Sequence, residues 1–258
     1  FRQAPGSRAA FLRGKFSRHR HRAWIKDVAM SVTFAADAPA IRPTTTEEYM
    51  SGVFEVQHPL ISCHLTRLRD KSTPPAEFRQ LVHRLASLLA YEATKDLRTE
   101  NLMVQTPLVL TEGCQLAQRI GLVPILRAGL GMIDPVLELI PSAEVWHLGL
   151  YRDEETAKPI KYYSKLPPER PVDVALILDP MLATGGSAVD ALTTLRDWGV
   201  PHVKLLSLIG SEEGVKRVEC EFPESQIYVC QVDPDLNDRK FIVPGLGDAG
   251  DRIFNTTG

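Results

Sequence analysis

Residues 174–187 read Val-Ala-Leu-Ile-Leu-Asp-Pro-Met-Leu-Ala-Thr-Gly-Gly-Ser. The apolar run 174–178 has the length of a buried strand and ends on an acid, Asp179. A short loop then closes on Ala183, Thr184, Gly185, Gly186 and Ser187. A helical pattern follows over 188–198, with Gly199 as its C-terminal stop. A strand that delivers a carboxylate, followed by a glycine-rich turn opening a helix, suits a phosphorylated sugar. The glycines let backbone N–H groups come close to a phosphate, and the helix N-terminus favours the anion. Asp179 stands beside that phosphate, where it can meet ribose hydroxyls or a hydrated Mg²⁺.

Strand and helix patterns alternate outward from this stretch. Downstream, 203–209 and 227–232 read as strands around a helix near 212–220. Upstream, Leu-Val-Pro-Ile-Leu (122–126) reads as a buried strand, and Arg-Ala-Gly-Leu-Gly (127–131) turns into a helix ending near Pro141. Residues 145–150 form another predicted strand, and the polar, turn-rich 151–166 a mobile hairpin. Ser72 and Thr73 before Pro74 and Pro75, with Glu77 in the first turn, signal a helix start. Phe78, Leu81, Val82, Leu85, Leu88 and Leu89 then mark one apolar face, and 106–110 is a short predicted strand. This alternation predicts an α/β chain with a doubly wound, mostly parallel sheet. Ligands of such sheets sit beyond the carboxyl ends of the strands, which gathers the loops 127–131, 151–156 and 179–187 into one crevice.

The bulk properties bound the function classes. With 258 residues, 44% hydrophobic, 24% charged and a net charge of −2, the folded part gives no reason to invoke nucleic acid or a membrane. No apolar run approaches the roughly 20 residues that span a bilayer. Cys63, Cys114, Cys220 and Cys230 lack metal-ligand spacing, which fits a reducing, cytoplasmic setting with free thiols. Residues 1–26 carry eight Lys and Arg and no acid. They are read as upstream sequence ahead of a later start, with an organelle-targeting peptide or an RNA-binding arm as alternatives. Residues 31–52 read as a flexible lead-in, and folded sequence is expected from about Val53.

Other glycine motifs fail on context. Gly245-Leu-Gly-Asp-Ala-Gly250 has the letters of a dinucleotide fingerprint, but no helix and strand are expected after it. Gly129-Leu-Gly131 has Asp134 in the third glycine position, and 183–187 lacks the lysine of a P-loop. A nucleotide-cofactor oxidoreductase or an NTPase is therefore disfavoured.

The run 175–187 resembles the phosphoribosyl pyrophosphate (PRPP) signature of type I phosphoribosyltransferases. Asp179-Pro180 in place of an acidic pair points to the uracil-specific branch. Pro-Ile-Leu-Arg-Ala-Gly-Leu-Gly-Met (124–132), Tyr-Arg-Asp-Glu-Glu-Thr (151–156), Tyr-Glu-Ala-Thr (91–94) and Phe-Ile-Val-Pro-Gly-Leu-Gly-Asp-Ala-Gly-Asp-Arg-Ile-Phe (241–254) agree. The resemblance covers about 53–256. It implies a phosphoribosyltransferase domain over 53–258 behind a basic, disordered extension over 1–52, with a small hood and a β-hairpin arm on the sheet. The implied reaction is uracil plus PRPP giving UMP and diphosphate. Pro180, Met181, Leu182, Ala183, Thr184, Gly185, Gly186 and Ser187 would bind PRPP, the last four holding the 5′-phosphate. Asp179 would take the ribose hydroxyls, Arg127 the diphosphate, and Arg152 would close over it. Ile242, Gly247, Asp248 and Ala249 would recognise uracil, largely by backbone, with Asp248 also binding PRPP and ordering the base or a metal-bound water. Arg127, Asp179 and Asp248 form the catalytic set. Mg²⁺ would be held through diphosphate and water rather than by protein ligands. The resemblance also implies a homo-oligomer and a GTP effector. A pyrimidine-responsive RNA-binding regulator on the same fold is the alternative, resting on 1–26 alone. Gly210-Ser-Glu-Glu-Gly214 departs from the Ala-Ala-Pro-Glu-Gly loop common in relatives.

Overall fold

In the computed structural model, which describes residues 52–152, 159–164, 166 and 170–256, the run 174–178 is a strand buried at every position. Strands buried on both faces mark a parallel sheet with helices on each side. The described chain opens with β1 (Gly52–Glu55), α1 (Pro59–Arg69) and α2 (Pro75–Ala93), then an antiparallel hairpin of β2 (Thr99–Gln105) and β3 (Leu110–Leu116). β4 (Ile120–Pro124) passes through a 3-10 turn (Ala128–Met132) into α3 (Ile133–Leu139) and β5 (Glu144–Val145). A second hairpin, β6 (Leu148–Arg152) with β7 (Pro159–Ser164), precedes β8 (Val174–Leu178), β9 (Met181–Leu182) and α4 (Gly186–Trp198). Then come β10 (His202–Ser211), α5 (Glu212–Glu221), β11 (Gln226–Asp233), β12 (Asp235–Leu236), β13 (Ile242–Val243) and α6 (Ala249–Phe254).

The sheet runs β1-β11-β10-β8-β4-β5 with every pairing parallel, and β9 continues alongside β10. Alternate residues of β8 feed two separate cores. Leu176 and Leu178 join α1, α2 and α3 on one face, while Ala175 and Ile177 join α4 and α5 on the other. On α2, the predicted apolar face is real: Phe78, Leu81, Val82, Leu85 and Leu89 are buried, each contributing roughly 2 kcal/mol against exposure. This is the doubly wound α/β architecture expected. The short β12–β13 ribbon and α6 form the small hood, and the two hairpins are the β-arms.

Several local expectations are corrected. Residues 106–110 are mostly a turn and not a strand: the Thr106 hydroxyl accepts from the N–H groups of Leu108 and Val109. The predicted strand 145–150 is two strands, because the chain leaves the sheet edge after Val145 and pairs antiparallel in the hairpin. Ser72 and Thr73 do not cap α2, whose N-cap is Pro74. The Thr73 hydroxyl donates to the Arg67 carbonyl at the end of α1 instead. A helix does follow the 245–250 glycines, the six-residue α6, although no described strand follows it. Gly199 ends α4 as expected, at φ 93°. Gly52 belongs to β1, while residues 1–51 and the hairpin tip 153–158 lie outside the described residues. No helix among the described residues is long and apolar enough to cross a membrane.

Candidate active site

The phosphate loop hangs between β8 and α4. Asp179 follows the last residue of β8, and its N–H donates to the Leu206 carbonyl of β10. Pro180 is buried, and its carbonyl accepts from Leu208 and Ile209 N–H. Met181 and Leu182 then pair with Ile209 and Gly210. The loop is thus stitched to β10 before it turns at Gly185, the N-cap of α4, which sits at φ 76° in the left-handed region. Gly185 offers no capping side chain, so the first N–H groups of α4 are left for a ligand. A cavity of about 180 Å³ is lined here by Asp179, Met181, Leu182, Ala183, Thr184, Gly185, Gly186, Ser187 and Ala188.

Asp179 is the one acid lining that cavity. Loss of hydration pushes its carboxyl up to about 7, and the Met181 N–H donating at 3.3 Å opposes the shift. The carboxyl is held above its ordinary range, and a ribose hydroxyl or a cation would relieve it.

Arg127 enters from β4. The Leu126–Arg127 peptide is cis, and the 3-10 turn after it seats Gly129 against the end of β8. A Cβ on Gly129 would lie 2.2 Å from the Leu178 carbonyl oxygen, so only glycine allows this approach. The Arg127 side chain is 60% exposed, and its Nη2 lies 3.4 Å from Asp251 Oδ1 on α6. Opposite it, Asp248 is the N-cap of α6 and accepts from the Asp251 N–H at 2.8 Å. Arg127 and Asp248 flank Gly250, where an added Cβ would stand 3.2 Å from Asp248 Oδ1 and 3.8 Å from Arg127 Nη2. Ile242 and Ala249 are buried in the same apolar cluster as Leu178, while Gly247 turns the chain at φ 81°. Arg152 ends β6, and only its backbone is described.

The structure adds residues that the sequence reading did not single out. Ser211 is fully buried; its hydroxyl donates to the Ala183 carbonyl at 2.5 Å and accepts from the Gly214 N–H at 2.9 Å. The divergent loop 210–214 is therefore the floor of the phosphate loop. Arg217 reaches the Thr184 carbonyl at 3.4 Å from α5. Arg69 of α1 and Arg252 of α6 hold the Gly245 and Leu246 carbonyls of the tail. Among these, Ser211 and Arg252 lie inside stretches quoted from the sequence, Ser211 only as part of the divergent 210–214 loop.

The comparisons agree with this geometry. The model of the uracil phosphoribosyltransferase family matches residues 55–256. A uracil phosphoribosyltransferase of Roseiflexus sp. (strain RS-1) is 56% identical over 207 residues, 80% of this chain and all of the relative. One from Brevibacillus brevis is 50% identical over 208 residues, again 80% of this chain and all of that protein. The solved structure of the AQ2163 protein from Aquifex aeolicus superposes with a TM-score of 0.76 at 39% identity, covering 80% of this chain and 99% of that one. A glycine loop at the end of β8, an arginine turn after β4 and a glycine-rich tail thus occur in a chain aligned with these relatives over their whole length, and the chain belongs to the uracil phosphoribosyltransferase family.

Proposed function

We propose that this chain transfers the 5-phosphoribosyl group of PRPP to N1 of uracil, giving UMP and diphosphate in pyrimidine salvage. The observation that carries the reading is the gathering of the phosphate loop, Arg127 and the 242–249 tail around the carboxyl end of β8. The N-terminus of α4 and the Thr184 and Ser187 hydroxyls hold the 5′-phosphate. Asp179 accepts from the ribose hydroxyls. During transfer the N1–C1′ bond forms, the C1′–O bond to diphosphate breaks, and the N1 proton passes to water. Negative charge collects on the departing diphosphate, where the Arg127 fork matches its oxygens. Arg152 is assigned to the same group from the hairpin. Asp248, one oxygen already fixed by the Asp251 N–H, orders the base or a water.

Among the described residues no cluster of three or more His, Cys, Asp or Glu is placed to hold a metal. An Mg²⁺ brought in on the diphosphate would be held mainly through diphosphate and water, with Asp179, the acid lining the cavity, the residue it would meet. Bound there, the ion would neutralise diphosphate charge.

Uracil presents acceptor, donor and acceptor along O2, N3 and O4, which the 242 and 247–249 peptides can complement. Cytosine reverses donor and acceptor at N3 and position 4, leaving buried groups unpaired. The purified chain with labelled bases and PRPP is expected to make UMP, with discrimination against cytosine on the order of 10⁴ in kcat/KM. Absence of UMP, or faster use of a purine, overturns the reading. Repeating the assay with GTP tests the effector, for which a groove of about 520 Å³ lined by Arg79, Gln80, His83 and Arg84 offers a basic surface. The RNA-binding alternative rests on residues outside those described and gains nothing from the family match.

A homo-oligomer is supported by the β2–β3 arm. A two-stranded hairpin alone is marginal in water, and this one exposes Met103, Leu108, Val109 and Leu110 at 55, 89, 61 and 59%. A second copy of the chain is the partner assigned to it. Leu110→Asp is expected to lower the mass measured by light scattering by at least half, while leaving the melting temperature of the protomer nearly unchanged. An unchanged mass removes the arm from the interface. The free cysteines, three exposed and Cys230 buried, fit a cytoplasmic setting.

A further inference from the structure

The segment assigned to the base has little regular structure of its own. It leaves β13 through a cis Val243–Pro244 peptide, turns at Gly245 (φ 61°) and Gly247 (φ 81°), and becomes helical only at Ala249. A Cβ on Gly245 would lie 2.0 Å from the Ile242 carbonyl oxygen, so the turn is tight. Backbone ladders do not hold the stretch between Pro244 and Asp248; side chains do.

Asp233, the last residue of β11, is 1% exposed. Its Oδ1 accepts from Arg69 Nη2 at 2.7 Å, and its Oδ2 accepts from Arg69 Nη1 at 2.7 Å and from the Gly245 N–H at 3.0 Å. Arg69 Nη1 also donates to the Gly245 carbonyl at 2.7 Å. The two side chains therefore take both polar groups of Gly245, as a neighbouring strand would. Arg252 repeats the pattern one residue on, donating to the Leu246 carbonyl at 2.7 Å while binding the Leu68 and Asp70 carbonyls at the end of α1. Three residues of one helix terminus thus anchor the tail. Cations suit that terminus, where unpaired carbonyls carry partial negative charge.

We propose that the Arg69–Asp233 pair is a positioning device for base recognition, fixing Gly245 and so setting where the 247–249 peptides meet the pyrimidine edge. Resting on the base-facing role given above to those peptides, it sets affinity and selectivity for the base and leaves the PRPP side alone. The phosphate loop has separate supports in β10 and Ser211. A base read by peptide groups is only as well discriminated as those groups are well placed. A bidentate ion pair with one partner buried is also a stiff support, because breaking it strands a buried charge.

The test is steady-state kinetics on the full chain with uracil, cytosine and PRPP. Asp233→Asn and Arg69→Lys are expected to raise KM for uracil at least tenfold and cut the uracil-to-cytosine discrimination at least tenfold. KM for PRPP should stay within about threefold. The double variant R69M/D233L separates positioning from folding. It removes both charges, so its melting temperature should return close to wild type, but without the Gly245 bonds its KM for uracil should stay high. A normal KM for uracil in that double variant overturns the proposal, as does a parallel rise in both KM values in the single variants. Wild-type chain that makes no UMP at all overturns the reaction assignment and the proposal with it, and is told apart by that control.

Discussion

Arg127→Ala is expected to lower kcat/KM for PRPP by about 10²- to 10³-fold, the usual cost of removing one donor aimed at charge that develops in the transition state. The fold should hardly notice. The side chain is 60% exposed, and its contact to Asp251 is long at 3.4 Å, so the stability change should stay within about 0.5 kcal/mol. Arg127→Lys restores charge but not the planar fork, and should recover no more than about tenfold of the loss. Binding of uracil or UMP, followed by calorimetry, should change far less than PRPP turnover. Wild-type turnover in the alanine variant would remove Arg127 from the diphosphate site.

Asp179→Asn is expected to do two opposite things. Activity should fall about 10³-fold, since the ribose loses its charged acceptor. Stability at pH 8 should rise. The folded-state carboxyl titrates near 7, against 3.8 as the ordinary value, so the folded protein holds its proton more tightly than the unfolded chain. Stability contributed by this group therefore falls as pH rises from about 4 through about 7. A shift of that size is worth at most about 4 kcal/mol. Because the Asn amide also loses hydration in this site, a gain of about 2 kcal/mol, or roughly 5 °C, is the expected result for the variant. Most of that gain should be gone at pH 4.5. The wild-type kcat/KM for PRPP should show an acid limb near pH 7 that is missing in the variant. Equal melting temperatures of the two proteins at pH 8 would show that the carboxylate carries no burial penalty.

Such opposed effects are what a binding site built at the expense of stability produces, and they bear on what the sequence could reveal. The phosphate loop was legible because all its determinants are local: an apolar run, an acid, a left-handed glycine and a helix start within fourteen residues. The β2–β3 arm was not, because its residues are exposed on both faces and leave no alternation to read. α1 escaped notice for a related reason. Its buried residues, Ile61, Leu65 and Leu68, keep helical spacing but make a stripe of only two turns among polar neighbours. The grip of Arg69 on Asp233 and Gly245 joins residues more than 160 positions apart, and no local pattern encodes it. Asp248 was placed in the site by its motif, but its capping of α6 became visible only with a helix too short to predict. The loop 210–214 departs from the family pattern, and the bond from Ser211 to Ala183 gives that departure a physical role.

The Leu178 carbonyl has a consequence for how this molecule measures its substrate. It accepts the Ile125 N–H at 3.0 Å, and Gly129 packs onto it from the same loop. The segment bearing Arg127 and the strand leading to Asp179 are thus spaced by backbone against backbone, with no side chain between them to shrink or grow. On the proposed assignment of Arg127 and Asp179, the two ends of the sugar diphosphate would be gauged by a ruler of fixed length. Selection can vary what is grafted onto the sugar by reworking the hood, but a donor with a longer or shorter phosphate arm would require moving a strand of the sheet.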